Sequence, residues 1–169
     1  MKQPADTLPP AAEASMARAQ FLQLAEAALG QLGSALPPLD ATDLLQRRLG
    51  IRVDVDAIGF GLLHDDEHAI DRLMLIECAL GAMPSENASE ARRRLLVLNR
   101  DLSSVSITGF SLDPARGVLL NRSCAMPHET PATLIERIAG LVDIAAAWRH
   151  DAFADLSAAR QLLNTRFAA

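Results

Sequence analysis

Aromatic residues are scarce in this chain. They make up 4% of 169 residues, and tyrosine is absent. A core built on ring stacking is excluded, and Leu and Ala must supply an aliphatic one through several helices. Cysteine is equally sparse. Cys78 and Cys124 stand in no metal-type spacing, each among apolar neighbours, which predicts buried free thiols rather than a disulfide. No apolar run is long enough to span a bilayer, and the first residues lack the basic-then-apolar pattern of a secretory signal. The expectation is a cytosolic protein with no membrane insertion. The only dense basic run is Arg92-Arg93-Arg94, and the formal net charge is −5. Residues 40–91 carry eleven acids and four bases, whereas residues 92–122 carry six bases and two acids. An acidic half is a poor phosphate binder, so no nucleic-acid partner is expected. The arginine triplet reads as a solvated helix face.

The length suits one domain with a core that needs no staples. Residues 1–12 read as a loose tail. Phe21, Leu22, Ala25, Leu29 and Leu32 recur at helical spacing and predict a helix over 13–32, ended by Gly33 and Pro37-Pro38. Asp40 or Thr42 is placed to cap a short second helix carrying Leu44, Leu45 and Leu49, with Gly50 at its end. Val53 and Val55 alternate with Asp54 and Asp56, and Ile58, Phe60 and Leu62 alternate with glycines, both at strand period. Residues 69–81 fit a strand and a helix about equally. Ser85 is a candidate N-cap for a helix with the stripe Ala88, Ala91, Leu95, Leu98 and Leu102. A hairpin follows. Its first strand changes parity between Val105/Ile107 and Phe110/Leu112, which predicts a bulge at Gly109. Asp113–Gly117 supplies the turn, with Gly117 free to take positive φ. Thr130 and Pro131 open a helix whose seam is Leu134, Ile138, Leu141, Ala145 and Trp148. A last helix over 154–167 would use Leu156, Leu163 and Phe167.

The stretch HDDEH, residues 64–68, is the main candidate for chemistry. On a helix, His64 and His68 stand at the i, i+4 spacing of two metal ligands. Asp65 occupies the place where the zinc-protease motif has glutamate, and for a third ligand only His128 and His150 remain as histidine candidates. Between two strands, the same residues are a polar hairpin connection. Cys124 with His128 makes no nucleophile pair, since a Met-Pro intervenes, and GFG at 59–61 lacks the rest of a dinucleotide fingerprint. No cofactor is expected. The run Leu73–Ile76 is apolar on both strand faces, so one face needs a second copy or a partner to cover it. That points to an interaction protein and away from an enzyme.

Several features resemble the class I type III secretion chaperone family, also called the Tir chaperone family. They are Leu80-Gly81 followed by Pro84, the helix ending LLVLNRDL with Asn99 near its close, the strand GFSLDPARGVLLN, and the final helix reaching Trp148. The resemblance covers about residues 40–152. It implies an α+β fold with a twisted antiparallel sheet flanked by helices, a homodimer, and a non-enzymatic role. The role is to hold the N-terminal part of a secreted effector in extended form in the bacterial cytosol. It favours a strand for 69–81 and a hairpin tip for HDDEH. The domain organisation expected on this basis is an N-terminal extension with one helix (1–38), a chaperone-like domain (39–152) and a C-terminal helical extension (153–169). Candidate effector contacts are Leu44, Leu45, Leu49, Val53, Phe60 and Leu62, and candidate dimer residues are Leu95, Leu98 and Ile107. For each, simple core packing is the competing reading.

Overall fold

The computed structural model describes residues 10–40, 43, 46–66, 73–102 and 108–167. In chain order these form α1 (Pro10–Gln31), β1 (Arg48–Val55), β2 (Ile58–Asp65), β3 (Leu73–Gly81), α2 (Ala88–Leu102), β4 (Thr108–Asp113), β5 (Gly117–Ala125), α3 (Pro131–Asp151) and α4 (Leu156–Phe167). The five strands form one sheet in the order β1-β2-β3-β5-β4, and every neighbouring pair is antiparallel. Alternation sets one face inward. Leu49 and Ile51, Ile58, Phe60 and Leu62, Met74, Ile76, Cys78 and Leu80, and Val118, Leu120 and Cys124 are all buried on it. The helix α3 lies across that face. Its predicted seam is buried at every position, and the Cys78 thiol reaches the Leu141 carbonyl at 3.8 Å. Thr130 caps α3 as expected, in a reciprocal box with Thr133. The helix α1 joins the same core through Phe21, Ala25 and Leu29.

Four sequence expectations change. Leu49 and Gly50 belong to β1 and not to a short helix, because Arg48–Val55 pairs with Ile58–Asp65 over its whole length and buries Leu49 and Ile51 at period two. Leu44, Leu45 and Thr42 lie outside the described residues. The Asp40 carboxylate does accept the Asp43 N–H at 2.8 Å, as a cap would. The helix α2 starts at Ala88, with its first backbone bond from Ala91 to the Asn87 carbonyl, so Ser85 precedes the cap. Gly109 carries no bulge. The β4–β5 register runs unbroken from Thr108 to Asp113, and the missing side chain leaves room for Asn99. The irregularity lies instead at Leu80 on β3, between Ala79 and Gly81. His64 and Asp65 are the last residues of β2 and not the tip of the hairpin. Residues 67–72, with His68, lie outside the described residues. The ambiguous segment is a strand from Leu73 onward.

Two turns hold the sheet's ends. Asp56 and Ala57 join β1 to β2 with φ of 52° and 60°, the left-handed pair that a two-residue hairpin requires. The Ala57 carbonyl accepts from Arg149 of α3, whose guanidinium also holds the Leu80 carbonyl at 3.0 Å. Asp113 accepts the Ala115 and Arg116 N–H groups, and Gly117 closes that turn at φ 81°. A Cβ on Gly117 would collide with the Gly81 carbonyl. Substitutions at the two turns are therefore expected to have opposite signs. Ala57→Gly removes a left-handed alanine and should stabilise by about 0.5–1 kcal/mol. Gly117→Ala adds strain and a backbone clash and should cost about 1–3 kcal/mol. Urea midpoints at unchanged slope check both; an unmoved or lowered midpoint for Ala57→Gly would show that the turn carries no strain.

Candidate partner-binding site

Of the six candidate effector contacts, Leu49, Val53, Phe60 and Leu62 are among the described residues, and they fall into different environments. Phe60 and Leu62 sit inside the core under the helices, at 2% and 0% exposure, and Leu49 is buried beside them. Val53 is half-buried, on the inward parity of β1 opposite Phe60. Val55 shares that state. So β1 is covered at its Leu49–Ile51 end and only half covered at its Val53–Val55 end. Among the described residues it is also the terminal strand, paired on one side alone.

Behind this edge, on the face away from α3, lies an apolar cleft of about 460 Å³. Leu63, Leu73 and Leu75 line it, with Arg48, Asp65 and Ser123 at its rim. Leu73 and Leu75 are the outward half of the doubly apolar run, while Met74 and Ile76 are fully buried on the other face. The alternation predicted for a strand is thus realised, and the outward leucines remain partly open to solvent.

The opposite edge is built differently. Asn99 of α2 donates its amide to the Phe110 carbonyl at 3.0 Å and accepts the Phe110 N–H at 2.6 Å. Both backbone groups of Phe110 point away from β5, so one side chain occupies the outer edge of β4 in its middle. Beside this contact is a cleft of about 300 Å³ lined by Leu95, Leu96, Phe110 and Leu112. Of the proposed dimer residues, Leu98 is enclosed by its own chain, Leu95 is 5% exposed at the floor of this cleft, and Ile107 lies outside the described residues. The exposed apolar residues here are Leu96 and Leu112, at 69% and 55%. Leu96 was hidden by the stripe rule, since it follows Leu95 on the outward face; a leucine off its helix's stripe was the available signal.

The His64 region is a packing junction. The ring stacks on Phe21 of α1 at 5.5 Å, its Nδ1 lies 3.3 Å from the Leu73 carbonyl, and its Nε2 lies 3.4 Å from Asp66. Arg18 of α1 pairs with the same Asp66 carboxylate at 2.6 Å and also donates to the Gln46 carbonyl. These contacts fasten α1 to the ends of β1 and β2. The His64 Nε2 faces the Asp66 carboxylate, the described residues contain no group of three side chains that could hold a metal, and His68 lies outside them. Burial pushes the Cys78 thiol up to about 12 and the Cys124 thiol up to about 11, so both are protonated at neutral pH and poor nucleophiles. In the arginine run, Arg93 and Arg94 both pair with Glu90 on the helix surface. No described helix is long and apolar enough to cross a membrane.

Solved structures share this fold. A chain of the ExsC–ExsE complex matches 79% of this chain and 93% of its own length, with a TM-score of 0.61 and 21% identity. A chain of the HopA1–SchA chaperone–effector complex matches 80% of this chain and 97% of its own length, with a TM-score of 0.56 and 17% identity. No protein-family model matches the sequence, and no curated protein does. At these identities the likeness is one of fold. The α+β architecture implied by the resemblance to class I type III secretion chaperones, an antiparallel sheet flanked by helices, is the architecture this chain adopts.

Proposed function

We propose that this protein is a cytosolic chaperone that binds the N-terminal region of a type III secreted effector in extended form, without enzymatic chemistry. The observation that carries the reading is the asymmetry of the sheet. Among the described residues the β1 edge is unpaired and backed by the Leu63–Leu73–Leu75 cleft, whereas Asn99 interrupts the β4 edge. An extended peptide on β1 gains main-chain hydrogen bonds from the strand; its side chains of one parity meet Val53 and Val55, and those of the other parity lie on the side of the cleft. The chaperone–effector complex among the solved structures of this fold supports the same reading. A homodimer is part of the proposal, formed across the cleft between α2 and β4, where Leu96 and Leu112 are exposed side by side with Leu95 and Phe110.

Two measurements test this. Purified from its native host, the protein should bring down a secreted protein whose N-terminal segment resists protease only in the complex. Val53→Asp should weaken that complex at least about tenfold, since a charge is placed where apolar side chains dock. A resident cytosolic partner, or binding indifferent to Val53→Asp, would sink the effector reading. In sedimentation the wild type should be a dimer, and Leu96→Glu with Leu112→Glu should sediment as a folded monomer. A wild type that is monomeric at every concentration would remove the dimer from the proposal.

A further inference from the structure

The outward row of β1 is Arg48, Gly50, Arg52 and Asp54. Arg48 stands directly across the ladder from Asp65, and the two pair at 2.6 Å. Where β2 offers an acid, the ladder uses it. Arg52 and Asp54 are treated otherwise. Their partners in β2 are Gly61 and Gly59, which have no side chain to offer. Glu77 on β3 is next along the row from Arg52, but its carboxylate turns to Arg116 of the β4–β5 hairpin. Among the described residues, Arg52 and Asp54 are exposed and make no ion pair. A cross-strand partner for either charge must therefore come from the unpaired side of β1.

We infer that Arg52 and Asp54 are specificity determinants of the β1 edge, selecting an antiparallel partner strand that carries a basic residue, then an apolar residue, then an acidic residue. Antiparallel pairing puts the first of these opposite Asp54 and the third opposite Arg52. The middle residue falls opposite Val53 on the inward parity, where the half-covered valines offer apolar surface. Opposite charges facing across a strand pair attract, and like charges there repel. This inference rests on the reading of β1 as the recruiting edge and adds the chemistry of what it recruits. The occupant is a segment of another protein. The chain's own Arg52-Val53-Asp54 has the same order, so a second copy is the competing occupant.

The test pans a phage-displayed library of random twelve-residue peptides on the immobilised full chain and on the double variant Arg52→Asp with Asp54→Arg. Both positions are exposed, and circular dichroism verifies folding. Wild-type selections should be enriched in peptides with alternating apolar residues and Lys or Arg two positions before Asp or Glu. On the double variant that order should reverse. Reversing Arg52 alone should weaken the wild-type peptides about five- to tenfold. Hydrogen exchange should show the β1 amides slowed by bound peptide. Alternating peptides with no charge order would overturn this inference and leave the edge reading standing. Binders that leave the β1 amides unprotected would overturn both. Self-association through β1, lost in each single reversal and restored in the double variant, would assign the edge to a second copy instead.

Discussion

The seam between α3 and β3 is the contact on which the rest of the molecule depends. β3 is the middle strand, paired on both sides, and its inward residues Met74, Ile76, Cys78 and Leu80 are fully buried. α3 supplies the cover through Leu134, Ile138, Leu141, Ile144, Ala145 and Trp148. The same helix reaches the sheet's corners. Arg149 holds the β1–β2 turn and the irregularity at Leu80, and Trp148 packs edge-on against Phe153, which in turn meets Phe110 of β4. Phe153 keeps a left-handed backbone at φ 56° to bring its ring there. The aromatic shortage of the composition is thus concentrated at one joint, where three rings tie α3 to the far edge of the sheet.

Covering one face so completely fixes what the other face and the edges are free to do. With α1 and α3 on the inward side, Leu73 and Leu75 are left outward beside Leu63, and among the described residues β1 is left with one side unpaired. The contacts of Arg18 and Phe21 bring α1 into the same core, so the N-terminal helix stiffens the ends of β1 and β2 without covering the outer cleft.

Much of the fold was legible because it follows from periodicity. The α3 seam, the Thr130 cap, the Asp113–Gly117 turn and the alternation along β1 and β2 are all local patterns, and each stands as read. Leu49 was misplaced because three leucines within six residues imitate a helix stripe, while the pairing that makes it a strand residue lies in β2. A glycine at a parity change signals a bulge; Gly109 instead makes room for Asn99, a tertiary contact with no local signature. The site was less legible than the fold. Apolar residues chosen for strength of pattern, such as Phe60, Leu62 and Leu98, are the ones the core consumes. The residues proposed for surface contacts break the pattern instead, Leu96 off its stripe and Arg52 and Asp54 opposite glycines.

Asn99 gives the sheet a property familiar from polymer chemistry. A sheet with two open edges is a bifunctional unit: each strand it takes leaves another growing end, and ordered aggregates follow. Here the Asn99 carboxamide consumes the hydrogen-bonding capacity at the centre of one edge, and the unit becomes monofunctional. Under the proposed strand addition at β1, each protomer then offers one edge, and pairing does not propagate through its sheet.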